Sequence, residues 1–252
     1  MIFQNRSHRY IVFLIGTAVL LTLTLQKKVG AEALYTDNLT ANEIIKRMEK
    51  VYANSKSYSD SGVVKAVFIS NNGKLTVEKP FTTAFIRPDH FRFEFKEKKQ
   101  GNPAQRFIIY RKGKELQTYW NVKNDLKLES LDMAVASATG VSGGSAITVP
   151  AMLLPNEITW RLAIRFRKPE RIDDDLFDKV DCYRIHDLIF NVIPTTIWID
   201  KKTFLVRKIY RKQKFDDFRT QETTIYKPRL NGNVADNLLE FNPPKEKRWW
   251  KF

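Results

Sequence analysis

Apolar positions recur with a helical period over Leu39–Ala53, where Ile44, Ile45, Met48, Val51 and Tyr52 share one face. Thr40 followed by Glu43 reads as a capping box and gives this helix a defined start. Beyond it the period changes to two. Gly62–Ile69 is rich in β-branched and aromatic residues, Asn71-Asn72-Gly73 tolerates positive φ, and Leu75–Ile86 resumes the strand, which predicts a hairpin. After Arg87-Pro88-Asp89 the alternation is strict: Phe91, Phe93 and Phe95 point one way, while Arg92, Glu94 and Lys96 point the other, into water. Gln105–Tyr110 and Glu115–Trp120 flank Arg111-Lys112-Gly113 as a further hairpin.

The rhythm returns where Leu162, Ile164 and Phe166 alternate with Arg161, Ala163, Arg165 and Arg167. Cys182–Ile185, Leu188–Ile193, Thr195–Ile199, Phe204–Arg211 and Arg219–Tyr226 follow between short polar breaks, one of them at His186-Asp187. About ten or eleven strands thus succeed one another, most with no helix between them, which predicts one antiparallel sheet that curls rather than parallel βαβ units. A single stretch departs from this. Leu131–Ala138 is apolar and rich in small residues, Thr139–Ser145 contains Gly140, Gly143 and Gly144, and Ile147–Leu154 is apolar again before Pro155. A short helix, a glycine connection and an apolar return at 131–155 form either a mobile lid over an apolar cavity or a plug for a barrel end.

The N-terminus adds a location. Arg6, His8 and Arg9 precede the uncharged run Tyr10–Leu25, and Lys27, Lys28 and small residues follow. Residues 1–31 therefore read as a secretory signal peptide, or as an uncleaved anchor, since sixteen residues fall just short of a spanning helix. Residues 32–252 follow as a single domain. The chain of 252 residues has a net charge of +15, and without residues 1–31, which hold four cations and no acid, +11 remains. At 43% hydrophobic it can bury a core, so intrinsic disorder is excluded. An exported basic protein meets anionic headgroups or an acidic partner rather than nucleic acid. Cys182 is the only cysteine, so no internal disulfide forms, and its apolar neighbours mark a buried structural thiol.

Catalytic signatures are missing. His8, His90 and His186 with one Cys do not make a zinc site. Gly140-Val141-Ser142-Gly143-Gly144 is not a nucleophile elbow, and no phosphate loop or dinucleotide fingerprint occurs. Asp173-Asp174-Asp175 with Asp178 lacks the glycine turn and terminal Glu of a calcium loop, and reads as a solvated acidic loop. The expectation is a protein that is not an enzyme and needs no cofactor or metal.

Three motifs carry a family resemblance. Arg87-Pro88-Asp89-His90-Phe91-Arg92-Phe93-Glu94 resembles the arginine-proline turn and aromatic strand of the LolA-like superfamily of periplasmic lipoprotein carriers and sorting proteins. Ile109–Leu116 with Tyr119 is similar to its Asp-Gly-Lys hairpin, and Phe241-Asn242-Pro243-Pro244 to its closing strand end. The resemblance spans about Leu39 to Lys245; the stretch 139–150 has no counterpart in it. It implies a mainly β (α+β) fold: an incomplete antiparallel barrel of about eleven strands, its mouth covered by helices, with an apolar cavity for acyl chains. By position it makes Arg87 the lid latch, hydrogen-bonded to lid carbonyls; the alternative is a strand-end residue beside a turn proline.

A carrier of acyl chains needs only non-directional burial, roughly 0.8 kcal/mol per CH₂. Phe91, Phe93 and Phe95, with Ile109 and Trp120, are the candidate lining, unless they are ordinary core. In the basic-aromatic tail 245–252, Trp249 and Trp250 are candidates for membrane contact, or else fold back over the sheet edge. The expected function is an exported monomeric carrier that shields lipid or lipoprotein acyl chains. The alternative is an envelope sensor or interaction module with a protein partner.

Overall fold

The computed structural model describes residues 37–97, 105–122, 128–142, 144–158, 166–189 and 191–244. The signal segment 1–31, the alternating stretch 161–165 and the tail 245–252, including Trp249 and Trp250, lie outside the described residues.

Helix α1 (Ala41–Ala53) starts where its cap dictates: the Thr40 backbone N–H donates to Glu43 at 2.8 Å, and the Thr40 hydroxyl accepts from the Glu43 N–H. Its buried stripe is Ala41, Ile44, Ile45, Met48 and Tyr52. Two meanders follow. The first is β1 (Ser57–Ser70), β2 (Gly73–Ile86), β3 (His90–Glu97), β4 (Gln105–Lys112) and β5 (Glu115–Trp120). The second is β6 (Glu170–Phe177), β7 (Val180–Ile189), β8 (Ile193–Asp200), β9 (Val206–Lys214) and β10 (Phe218–Tyr226). They join along β1 and β10, giving the order β5-β4-β3-β2-β1-β10-β9-β8-β7-β6, with short β11 (Arg229–Leu230) beside the start of β1. Every pairing is antiparallel and β5 does not meet β6, so the sheet of eleven strands is open, as expected.

Between the meanders run α2 (Leu131–Ser142) and α3 (Ser145–Leu153). Helix α3 packs on α1, α2 and β2, and α2 on β4. Their side of the sheet is here called the inner face. On the outer face, a 3₁₀ turn (Asp236–Leu239) rests on β2 and β3, with Val234 and Leu239 buried against Ala84.

Four sequence expectations need correction. Thr139–Ser142 is not a glycine connection but the last turn of α2, and the apolar return is itself a helix despite Pro150. The acidic run Asp173–Asp175 is not a loop but part of edge strand β6. It pairs with β7, and its carboxylates find partners: Asp174 on Arg171 and Lys201, Asp175 on the indole N–H of Trp198. His186-Asp187 is no strand break: both lie inside β7, where Asp187 accepts from the backbone of Arg167 and Lys168. Finally, Arg92 and Glu94 are not in water. The segment that follows β11 covers them, and burial obliges them to pair (Arg92–Glu94 at 2.6 Å, Arg106 on the other carboxylate oxygen, Asn242 on Arg92 at 3.0 Å). Burial raises the Glu94 carboxyl, yet the two guanidiniums outweigh it and hold the group below the usual carboxylate range.

Candidate functional site: an apolar interior under two helices

Strand register builds the interior. Phe91, Phe93 and Phe95 on β3 stand opposite Phe85, Thr83 and Phe81 on β2, and Phe93 and Phe95 stand opposite Ile109 and Phe107 on β4. Residues directly opposite share a face, so these side chains form one continuous surface, apolar except at Thr83. Phe85, Phe91, Phe93, Phe95, Phe107 and Ile109 are all fully buried. Phe81 stacks with Phe93 at 6.1 Å, and Phe95 with Phe107 at 6.0 Å. Trp120, at the outer strand, is half-buried with its ring 5.7 Å from Phe107. The sequence therefore brings its five candidate lining residues onto one face.

The cover is apolar in its own right. Between Leu131 and Leu154 the only charged residue is Asp132. Ala134, Val135, Ala138, Ile147, Val149, Leu153 and Leu154 are buried. Polar contacts among the described residues tie this cover to the rest of the protein. Arg87, after β2, donates from Nε to the Ser55 carbonyl at 2.8 Å and from Nη2 to the Leu153 carbonyl at 3.2 Å, with its guanidinium 5.1 Å from the Phe85 ring. The guanidinium thus links the end of α3 to the turn after α1, its several donors reaching one carbonyl on each. On β4, Arg111 is ion-paired with Glu157 just beyond α3. At the junction of α2 and α3, the Gly144 N–H donates to Glu222 of β10 at 3.4 Å, beneath the Arg211 guanidinium.

A polar cluster that sequence reasoning missed lies at the centre of this face. Asp60 on β1 accepts from the Tyr58 hydroxyl at 2.7 Å and from the Thr83 backbone N–H at 2.9 Å. Burial pushes its carboxyl up to about 6, against the opposing pull of these hydrogen bonds. The Tyr52 hydroxyl oxygen accepts the Val206 N–H at 3.0 Å beside this cluster, and burial raises the phenols of Tyr52, Tyr58 and Tyr226 alike. The available signal was phase: Tyr58, Asp60, Gly62 and Val64 share the period-two face. Cys182 is buried as expected, and burial pushes its thiol up to about 11, which keeps it protonated and unreactive.

No group of His, Cys, Asp or Glu among the described residues could hold a metal ion, and no described helix is long and apolar enough to cross a membrane. An open antiparallel sheet with an aromatic inner face under an apolar helical cover defines an incomplete barrel around an apolar interior. The chain belongs to the family of predicted periplasmic proteins DUF2092, whose profile matches residues 41–249.

No curated protein matches the chain in sequence. Similar solved structures include the MucA/MucB complex of Pseudomonas aeruginosa (11% identity, TM-score 0.45, covering 80% of this chain and 61% of that one). Others are LprF from Mycobacterium bovis (11%, TM-score 0.43, 77% and 94%) and a LolA superfamily protein from Nitrosomonas europaea (11%, TM-score 0.32, 81% and 98%). The chain spans about three fifths of the MucB-complex chain it matches.

Proposed function

We propose that this periplasmic protein carries acyl chains of lipids or lipoproteins between the inner face of the sheet and helices α2 and α3, with Arg87 as the latch of the cover. The observation that carries this reading is a largely aromatic and aliphatic surface, interrupted at its centre by the Asp60 cluster, lying under a cover whose only charged residue is Asp132. Parting such a cover from the sheet breaks the Arg87–Leu153, Arg111–Glu157 and Gly144–Glu222 contacts, after which it can close over an apolar guest. Each CH₂ so buried contributes roughly 0.8 kcal/mol, which suffices for a tightly held chain without any reacting group.

The test is native mass spectrometry of the protein purified from a periplasm, followed by solvent extraction and lipid identification. A bound lipid or acylated protein that is lost on denaturation is the expected result. The second reading, an envelope interaction module, is favoured by the Phe81–Phe93 and Phe95–Phe107 stacks, which already fill part of the interior. A clean apo mass, with no uptake from offered lipid or acyl-peptide, would refute the carrier and leave the module.

A further inference from the structure

We propose that the neighbouring ends of hairpins β1–β2 and β9–β10 form an amphipathic tongue that docks the protein onto an anionic lipid surface. Register puts both turns at the same end of the sheet, because Ser70 pairs with Gly73 on one side and with Phe218 on the other. The residues there alternate with period two. On the inner face lie Leu75 opposite Phe68, and Phe218 opposite Ser70; Phe215 stacks on Phe218 at 4.5 Å. On the outer face Lys74, Ile69, Arg219 and Lys214 stand in one row across the four strands, with Lys212 in the next row.

Both faces are in solvent at this end. Leu75 is 61% exposed, and Phe215, Phe68 and Phe218 are exposed as well. Four large apolar side chains gathered at one tip are more than scattered surface hydrophobics. They border a shallow groove of about 850 Å³ lined by Phe68, Leu75 and Phe218. Lys74, Lys212, Lys214 and Arg219 are all exposed, and the acids at the tip are Asp216 and Asp217 in the β9–β10 turn; further down, Lys65 is paired with Glu78 at 3.6 Å.

Apolar rings on one side and a row of cations on the other fit a lipid interface. The rings enter to headgroup depth, and the long cationic side chains reach back to the phosphates. Charge complementarity selects anionic lipid as the occupant, each cation near such a surface strengthening binding about fivefold. This docking is independent of any acyl cargo. A cargo-free protein that docks, or a loaded one that does not, separates the two readings.

The experiment is sedimentation of the protein, purified from the periplasmic fraction, with phosphatidylglycerol–phosphatidylcholine vesicles and with pure phosphatidylcholine vesicles, at low and high salt. Two variants accompany it: Leu75→Ser with Phe218→Ser, and Lys212→Gln with Lys214→Gln and Arg219→Gln. The expected result is partition to the anionic vesicles that salt weakens. The first variant should lose about tenfold or more, from the two apolar side chains withdrawn, and the second about fivefold per cation removed. Thermal melting should be the same for all three, since these side chains are exposed. Variants that sediment like the wild type would overturn the proposal. So would equal partition to both vesicle types, or a wild type that ignores vesicles and co-elutes with a protein instead.

Discussion

Asp60 offers the sharpest quantitative test of how the interior is built. Its carboxyl ionises near 3.8 in the unfolded chain and near 6 when folded, because burial disfavours the charge. The folded state therefore holds a proton that the unfolded state releases, and the sign follows: the stabilisation is full below about pH 3.8 and is lost as pH rises through about 6. The two values differ by about two units, and at 1.36 kcal/mol per unit the cost at neutral pH is about 3 kcal/mol. The surrounding phenols of Tyr52, Tyr58 and Tyr226 are all raised and stay neutral throughout this range. In Asp60→Asn the amide oxygen still accepts the Thr83 N–H, while the titration disappears. Urea unfolding of wild type and variant between about pH 4 and pH 8 isolates the group, since other titrations cancel in the difference. The variant should gain about 3 kcal/mol on the wild type across that interval. A difference that does not change with pH would mean that Asp60 is not held in the buried setting described.

Arg87→Leu removes the hydrogen bonds to the Ser55 and Leu153 carbonyls; for a side chain exposed over much of its length these are worth about 1–2 kcal/mol together. Amide hydrogen exchange in α3 should then accelerate about five- to thirtyfold, while exchange in β7 and β8 stays as it was; unchanged α3 protection would dismiss the latch. Gly62→Ala places a methyl group against the Phe81 ring and the Ile225 carbonyl oxygen in the central pair of strands. It should cost about 1–3 kcal/mol, read as a lower denaturation midpoint, and an unaltered midpoint would show that this strand pair gives way freely.

What could be read from the sequence was whatever rests on neighbours in the chain. The capping box of α1 closes over three residues, and the Phe91-Phe93-Phe95 alternation repeats over five, so local pattern and final structure agree. Strand β6 escaped because three consecutive aspartates have the composition of a loop; they are tolerated at an edge, where Arg171, Lys201 and Trp198 reach them. Arg92 and Glu94 looked solvated because their cover, at Asn242, lies about 150 residues away. Helix α3 carries Ile147, Thr148, Val149 and Pro150, a poor local prescription for a helix. Burial against α1, α2 and β2 decides its form. The candidate lining was legible as a face, and the groups that hold its cover were mostly not, since Leu153, Glu157 and Glu222 meet their partners only through the tertiary fold.

The β1–β10 seam also has a kinetic consequence. Each meander grows by hairpins that close over a few residues, whereas the nine residue pairs from Gly62–Tyr226 to Ser70–Phe218 join positions some 150 residues apart. Loop closure on that scale carries an entropic penalty that contacts cannot repay until both partners are formed, so high contact order concentrates in this one ladder. The topology is that of two locally connected halves joined by a tether and paired along β1 and β10. Helices α2 and α3 lie within that tether, so the segment that roofs the interior also governs how often the halves collide.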